Sequence, residues 1–163
     1  MRRNDREIKD IAGIEEILTQ CKTCHLAMVD EGLPYVVPLS YGYKINSGLA
    51  LELYFHSALE GRKIDVLKRF NKVCFEISHE GMLVNSESPC NTSICYSSVI
   101  GFGEAVFIEE AAMKCEALSI LFKHQTGKEA LFNAEQAKTV CVFKVISTDF
   151  TGKKIPVQIP GKD

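Results

Sequence analysis

Apolar positions in this chain switch repeatedly between helical and strand spacing. Ile11, Ile14, Ile17, Leu18 and Cys21 recur at helical intervals with Glu15, Glu16 and Gln20 between them, which predicts an amphipathic helix over residues 10–21 with Asp10 as its cap. The period then shortens. Residues 25–29 form an apolar run halted by the turn signal Asp30-Glu31-Gly32, the mark of a strand entering a hairpin. Residues 34–43 are rich in aromatic and β-branched side chains and predict a second strand, closed by the tight turn Asn46-Ser47-Gly48. Residues 49–56 give a third strand, antiparallel to the second because the connection is so short. Pro38 donates no backbone hydrogen bond, so it belongs at an edge or bulge where a ligand can approach.

Downstream, Ile64, Leu67, Lys68 and Phe70 suggest a helix of two to three turns ending near Asn71, followed by a strand over 73–78. Residues 79–91 are polar and irregular and read as a long exposed loop. Residues 96–108 fit one bent strand in which Gly101 and Gly103 relieve crowding at a corner. A helix over 109–122, a strand over 140–146 and a terminal strand or hairpin over 149–154 complete the pattern. About six strands with three helices predict a mainly β fold with peripheral α: an antiparallel sheet closed into a small barrel, with an open α+β sandwich as the alternative. A doubly wound parallel fold is excluded, because no helix separates the first three strands.

At 163 residues the chain suits a single domain, and its 46% hydrophobic and 25% charged residues are ordinary for a globular protein. A net charge of -2 and a pI near 6.1 argue against duplex DNA or anionic lipid as partner and favour a small molecule. No apolar stretch suited to export follows Arg2 and Arg3, and none is long enough to span a membrane, so a cytoplasmic location is expected. The seven cysteines then read as reduced thiols.

The strongest chemical constellation is the run from Tyr54 through His56, Ser57, Ala58 and Gly61 to Arg62, Lys63 and Asp65. A strand delivers it, a glycine permits close backbone approach, two adjacent cations follow, and a helix begins whose first N–H groups lack partners. Those parts suit a phosphate monoester: Arg62 can pair with two oxygens at once and Lys63 supplies a compact charge. Spacing alone equally allows a solvated cation pair on a helix surface.

Three blocks, residues 34–38, 54–63 and 96–103, resemble the flavin-binding split-barrel proteins in both order and spacing. Within that superfamily the chain is similar to the pyridoxamine-5'-phosphate-oxidase-related branch that includes nitroimidazole-resistance proteins, over nearly its whole length. The resemblance implies a homodimer of six-stranded antiparallel Greek-key split β-barrels, with flavin mononucleotide (FMN) held in clefts between subunits. Carried over by position, Arg62 and Lys63 hold the flavin phosphate with help from Ser57, Ala58 and the Gly61 backbone. Pro38, Leu39 and Ser40 lie along the flavin ring, Ser98 and Val99 reach the cofactor from the partner subunit, and Lys153 approaches the same site. His56 is implied to sit near the reactive face of the flavin and is the catalytic candidate; a core histidine bonded to a carbonyl is the alternative. The implied function is an FMN-dependent oxidoreductase reducing a small electron-poor acceptor such as a nitroaromatic compound. A pyridoxamine-phosphate-oxidase-like oxidase, or a non-enzymatic flavin- or haem-binding protein, are the alternatives.

Other signals are weaker. Cys21-Lys22-Thr23-Cys24-His25 matches the haem-attachment spacing, but it falls where a helix passes into a strand, so packing is the expected role. A zinc site from Cys21, Cys24, Cys90 and Cys95 is arithmetically allowed, yet the second pair is badly spaced, and no metal is expected. Gly101-Phe102-Gly103 lacks the third glycine and the following helix of a dinucleotide motif.

Overall fold

Period-two alternation decides which side chains of each strand meet. In the structure, a computed structural model that describes residues 4–85 and 89–155, strand β2 (Thr23–Asp30) buries Cys24, Leu26 and Met28 and turns His25, Ala27 and Val29 outward. The preceding elements are a two-residue strand β1 (Glu7–Ile8) and helix α1 (Ile11–Gln20), whose N-cap Asp10 accepts the Gly13 amide at 2.7 Å, as its position predicts. After β2 come β3 (Leu33–Ser40), β4 (Gly42–Ile45), β5 (Leu51–Ser57), α2 (Arg62–Arg69), β6 (Lys72–Val84) and β7 (Ser93–Phe107). Helices α3 (Ala111–Thr126) and α4 (Ala134–Lys138) then lead into β8 (Cys141–Lys154).

All pairings are antiparallel, and the eight strands form one sheet in the order β3-β2-β6-β7-β8-β5-β4, with β1 added beside β8. The six strands expected are therefore eight. No pairing among the described residues joins β3 to β4, so the sheet curls around a core without closing through its ladder. The reason is a single residue. Tyr41 interrupts the segment read as one strand over 34–43, and the chain crosses there from one sheet edge to the other: β3 pairs with β2, β4 with β5. Tyr41 is fully buried, and its hydroxyl donates to the Leu18 carbonyl at 2.8 Å.

The remaining differences have causes as definite. Residues 79–84, read as loop, continue β6 because β7 pairs with them beyond a register shift, with Leu83 opposite Ile94. Residues 141–154 form one strand, held by β7 along both arms across another shift near Phe102. Helix α3 runs past residue 122 because Gly127, at φ 72°, is the first position suited to a left-handed cap. Helix α4 was not anticipated, although Asn133 and Gln136 form the reciprocal capping box that their spacing allows.

Inward faces of β2, β5, β6, β7 and β8 meet α1 and α2 in one core, with Phe55, Phe75, Phe143, Ile17, Leu26 and Leu67 among its sealed side chains. Phe55 and Phe143 stack with centroids 5.2 Å apart. A second, smaller cluster lies on the opposite face, where α3 and α4 cover Tyr54 and Val142. No helix among the described residues is long and apolar enough to cross a membrane.

Two predictions follow from the packing around Tyr41. Helix α3 approaches so closely that a Cβ on Gly42 would sit 2.6 Å from the Leu121 Cα, a backbone atom with nowhere to go. Gly42→Ala should cost about 1–3 kcal/mol of stability, read as a lowered midpoint in urea. His124, at the far end of α3, is half-buried against the Tyr41 ring (centroids 4.7 Å) and donates to the Cys21 carbonyl at 2.9 Å. Burial, with nearby Lys22, lowers its pKa from the ordinary histidine value. The unfolded chain therefore takes up this proton first, so the contribution is present above about pH 6.5 and is lost as pH falls through the lower folded value. Urea titrations should show His124→Gln losing less stability than the parent between neutral and mildly acid pH.

Candidate functional site

Strand β5 carries its alternation to its last residue. Leu51, Leu53, Phe55 and Ser57 face the core, while Glu52, Tyr54 and His56 face the other side, so neighbouring residues His56 and Ser57 serve opposite surfaces. The Ser57 hydroxyl is buried and has no hydrogen-bond partner among the described residues, an arrangement that costs free energy unless something else reaches it. Four residues later Gly61 caps α2 at φ 135°, a conformation that side chains rarely adopt. Its carbonyl accepts the amides of Ile64 and Asp65 at 2.9 and 3.2 Å. No side chain caps the helix, so the amides of Arg62 and Lys63 lack helical partners.

Arg62 is held from behind. Its Nε donates to Asp30 Oδ2 at 2.8 Å, and its guanidinium carbon lies 4.4 Å from the centre of the Tyr35 ring. Arg69, seven residues on and hence on the same helical face, bonds the other Asp30 oxygen. The Arg62 hydrogen bond, with the charge of both arginines, holds the Asp30 carboxyl below its usual range. This anchoring leaves both Nη groups of Arg62 without a protein partner among the described residues, which is the edge that pairs with two oxygens of an anion. A buried lone hydroxyl, free amides and a preoriented fork together fit a phosphate ester.

The other residues singled out from sequence fall into separate groups. Ala58 is exposed beside Ser57, and Lys63 is half-buried next to Arg62. Pro38 and Ser40 lie on the outward face of edge strand β3, with Leu39 turned inward. Pro38 is three residues from Tyr35, about 10 Å along the strand. Ser98 lies on β7 opposite Lys153, whose Nζ sits 5.4 Å from the Tyr96 ring centre. Val99 is fully buried in the core, leaving only its backbone for a ligand. Within one chain β2 and β6 stand between β3 and β7, so roughly 14 Å separates Pro38 from the β7 group. His56 does not join the cradle; it is exposed beside an apolar cavity under α3.

Sequence reading missed Asp30, Tyr35 and Arg69 as site residues. Asp30 was visible only as a turn residue, and nothing local tells that a hairpin will fold back onto a helix 32 positions later. The seven-residue spacing of Arg62 and Arg69 was the one available signal. The cysteines offer no competing site. Cys21 and Cys24 are buried and their thiols are pushed up by that burial, which disfavours the thiolate that a metal or thioether needs. His25 instead bonds Glu76 through Nδ1 at 2.9 Å, and no cluster suited to a metal occurs among the described residues.

The sheet's outer surface carries an apolar row next to the His25–Glu76 pair. Val36, Ala27, Cys74 and Phe102 are cross-strand neighbours in one row over β3, β2, β6 and β7, with Ile100 beside them, and Val36 and Phe102 are 53% and 59% exposed. Pro38, Ser40 and Ser98 rim this surface.

Comparison with known proteins agrees with the geometry. Residues 10–154 match the family model of pyridoxamine 5'-phosphate oxidase. A candidate 5-nitroimidazole antibiotic resistance protein from Bacteroides thetaiotaomicron is 36% identical, covering 91% of this chain and 86% of its own, with a TM-score of 0.78. The flavocytochrome Anf3 from Azotobacter vinelandii (20% identity, 96% and 72% coverage, TM-score 0.79) shares the fold. So does an FAD-binding protein from Mesorhizobium loti (21% identity, 93% and 98% coverage, TM-score 0.67). No curated protein sequence is matched. With the family model matched over most of its length and a 36% identical relative covering 91% of the chain, this protein belongs to the pyridoxamine 5'-phosphate oxidase family.

Proposed function

We propose that the protein is an FMN-dependent oxidoreductase that works as a homodimer and reduces a small, flat, electron-poor acceptor such as a nitroaromatic compound. The observation that carries the reading is the start of α2. A buried Ser57 hydroxyl with no hydrogen-bond partner among the described residues, the amides of Arg62 and Lys63, and an arginine fork anchored by Asp30 all belong to one short segment running from the end of β5 into the first turn of α2. A phosphate monoester satisfies all of them, and flavin mononucleotide carries one at the end of a chain long enough to lay its ring elsewhere.

The bound flavin would supply hydride storage and transfer, chemistry that no side chain provides. The chain's residues would do the rest. Arg62, Lys63, Ser57, Ala58 and Gly61 hold the phosphate, and Pro38, Leu39 and Ser40 flank the ring on the open edge of β3. The apolar sheet surface supports the dimer: two copies stacked about a twofold axis would cover Val36 and Phe102, and would bring Ser98, Val99 and Lys153 of one copy towards the β3 edge of the other. The 36% identity to a candidate nitroimidazole resistance protein supports the acceptor class. His56 is the proposed proton donor to an acceptor oxygen that gains charge on reduction, a task suited to an imidazole near neutral pH.

Replacing both Arg62 and Lys63 by Ala should weaken FMN binding by at least about a hundredfold, so that purified protein loses its yellow colour. Asp30→Asn keeps the shape of the anchor but removes its charge, and should weaken FMN by about tenfold in a flavin fluorescence titration. FMN affinity unchanged in both would place the cofactor elsewhere, and an intense Soret band in the purified protein would replace flavin with haem. His56→Ala should retain flavin yet lower turnover with a nitroimidazole by about 100-fold, the low end of what a positioned acid contributes. Reduced wild-type protein that is reoxidised by nitro compounds no faster than free FMN would end the nitroreductase reading.

A further inference from the structure

Helices α3 and α4 do not fill the space they cover. Their contacts with Tyr54, Ile108 and Val142 make the second apolar cluster, and beside it lies a cavity of about 370 Å³. Leu121, Phe122, Phe132 and Val140 form its apolar walls, and His56 and Gln136 are at its polar side. That size falls in the range of small-molecule sites, which combine apolar walls with a few convergent polar groups.

The lining restricts what can enter. Phe122 and Phe132 meet edge to face with centroids 6.1 Å apart, so the wall offers π surface to a flat ring. Gln136 uses Oε1 to accept the Asn133 amide at 3.0 Å, which leaves its Nε2 without a partner among the described residues. The His56 imidazole likewise makes no hydrogen bond among the described residues, so two groups able to donate stand beside apolar walls. Among the described residues no carboxylate, lysine or arginine lines the cavity, and an ionic ligand would leave its charge uncompensated there.

We propose that this cavity binds a neutral, planar aromatic molecule carrying a hydrogen-bond-accepting substituent, with the ring against Phe122 and Phe132 and the substituent at His56 and Gln136. The site lies on the other face of β5 from the proposed phosphate-binding segment and goes beyond the oxidoreductase reading. Occupancy itself requires no turnover.

Benzamide and its saturated counterpart cyclohexanecarboxamide are suitable probes, titrated calorimetrically into the protein as purified. Benzamide should bind, and the saturated ring should bind about fivefold more weakly because it lacks aromatic contacts. Val140→Phe fills the cavity and should weaken benzamide at least about tenfold. Gln136→Glu keeps the cap of α4 but replaces a donor with an acceptor, and should weaken it by about tenfold with the melting temperature retained. This second variant decides the matter should Val140→Phe not fold. Flavin content should be unchanged in both.

Absence of benzamide binding, or equal affinity in parent and variants, would overturn the site. Loss of flavin from Val140→Phe would give the cavity to the cofactor instead, and a change of oligomeric state with benzamide binding intact would make it a subunit contact. Benzamide binding without nitro-compound turnover would end the oxidoreductase reading while leaving the site in place, and turnover without binding would do the reverse.

Discussion

Burial of Tyr41 is the constraint on which the rest of the architecture depends. A phenol sealed in a core must keep its hydroxyl bonded, and this one is tied to the Leu18 carbonyl at the end of α1. Satisfying it fixes the point where the chain leaves β3 and enters β4 at the other edge of the sheet. The C-terminal part of α3 secures the same point: Gln125 donates to the Tyr41 carbonyl at 2.8 Å, and His124 packs on the ring. One residue thus couples α1, α3 and both sheet edges. It leaves β3 paired on one side only, exposed where the candidate cofactor site begins.

The anion cradle is built on the same economy of contacts. An exposed arginine alone is a flexible cation, and ordering it for a ligand costs side-chain entropy. Here the cost is met in the folded state, because Asp30 and Tyr35 on the β2–β3 hairpin hold Arg62 before any ligand arrives. Arg69 shares Asp30, so the carboxylate stays ionised between two cations even though its hairpin packs against a helix. A fork held by Asp30 and Tyr35 is preorganised for an anion in a way that a freely solvated Arg-Lys pair is not.

The two faces of β5 divide the chemistry. Ser57 turns towards the core and His56 towards the cavity under α3, a separation imposed by the pleat. The outer surface over β3, β2, β6 and β7 is a third region, with an apolar row from Val36 to Phe102 and with β2 and β6 standing between Pro38 and Ser98.

The amino-acid order by itself determined what depends on neighbours along the chain: the antiparallel, mainly β class, the cap at Asp10, the cation pair at the start of α2, and the alternation that sorts inner from outer residues. The same locality explains its failures. Tyr41 looks like any strand residue until a carbonyl from α1 is beside it, and residues 79–84 look like loop until β7 supplies their hydrogen bonds. Only the tertiary structure decided that Asp30 stands behind Arg62, that His56 lines a cavity under α3, and that the sheet runs to eight strands without a pairing of β3 to β4 among the described residues. Each of these turns on groups far apart in sequence, whose meeting is set by the packing of the whole core.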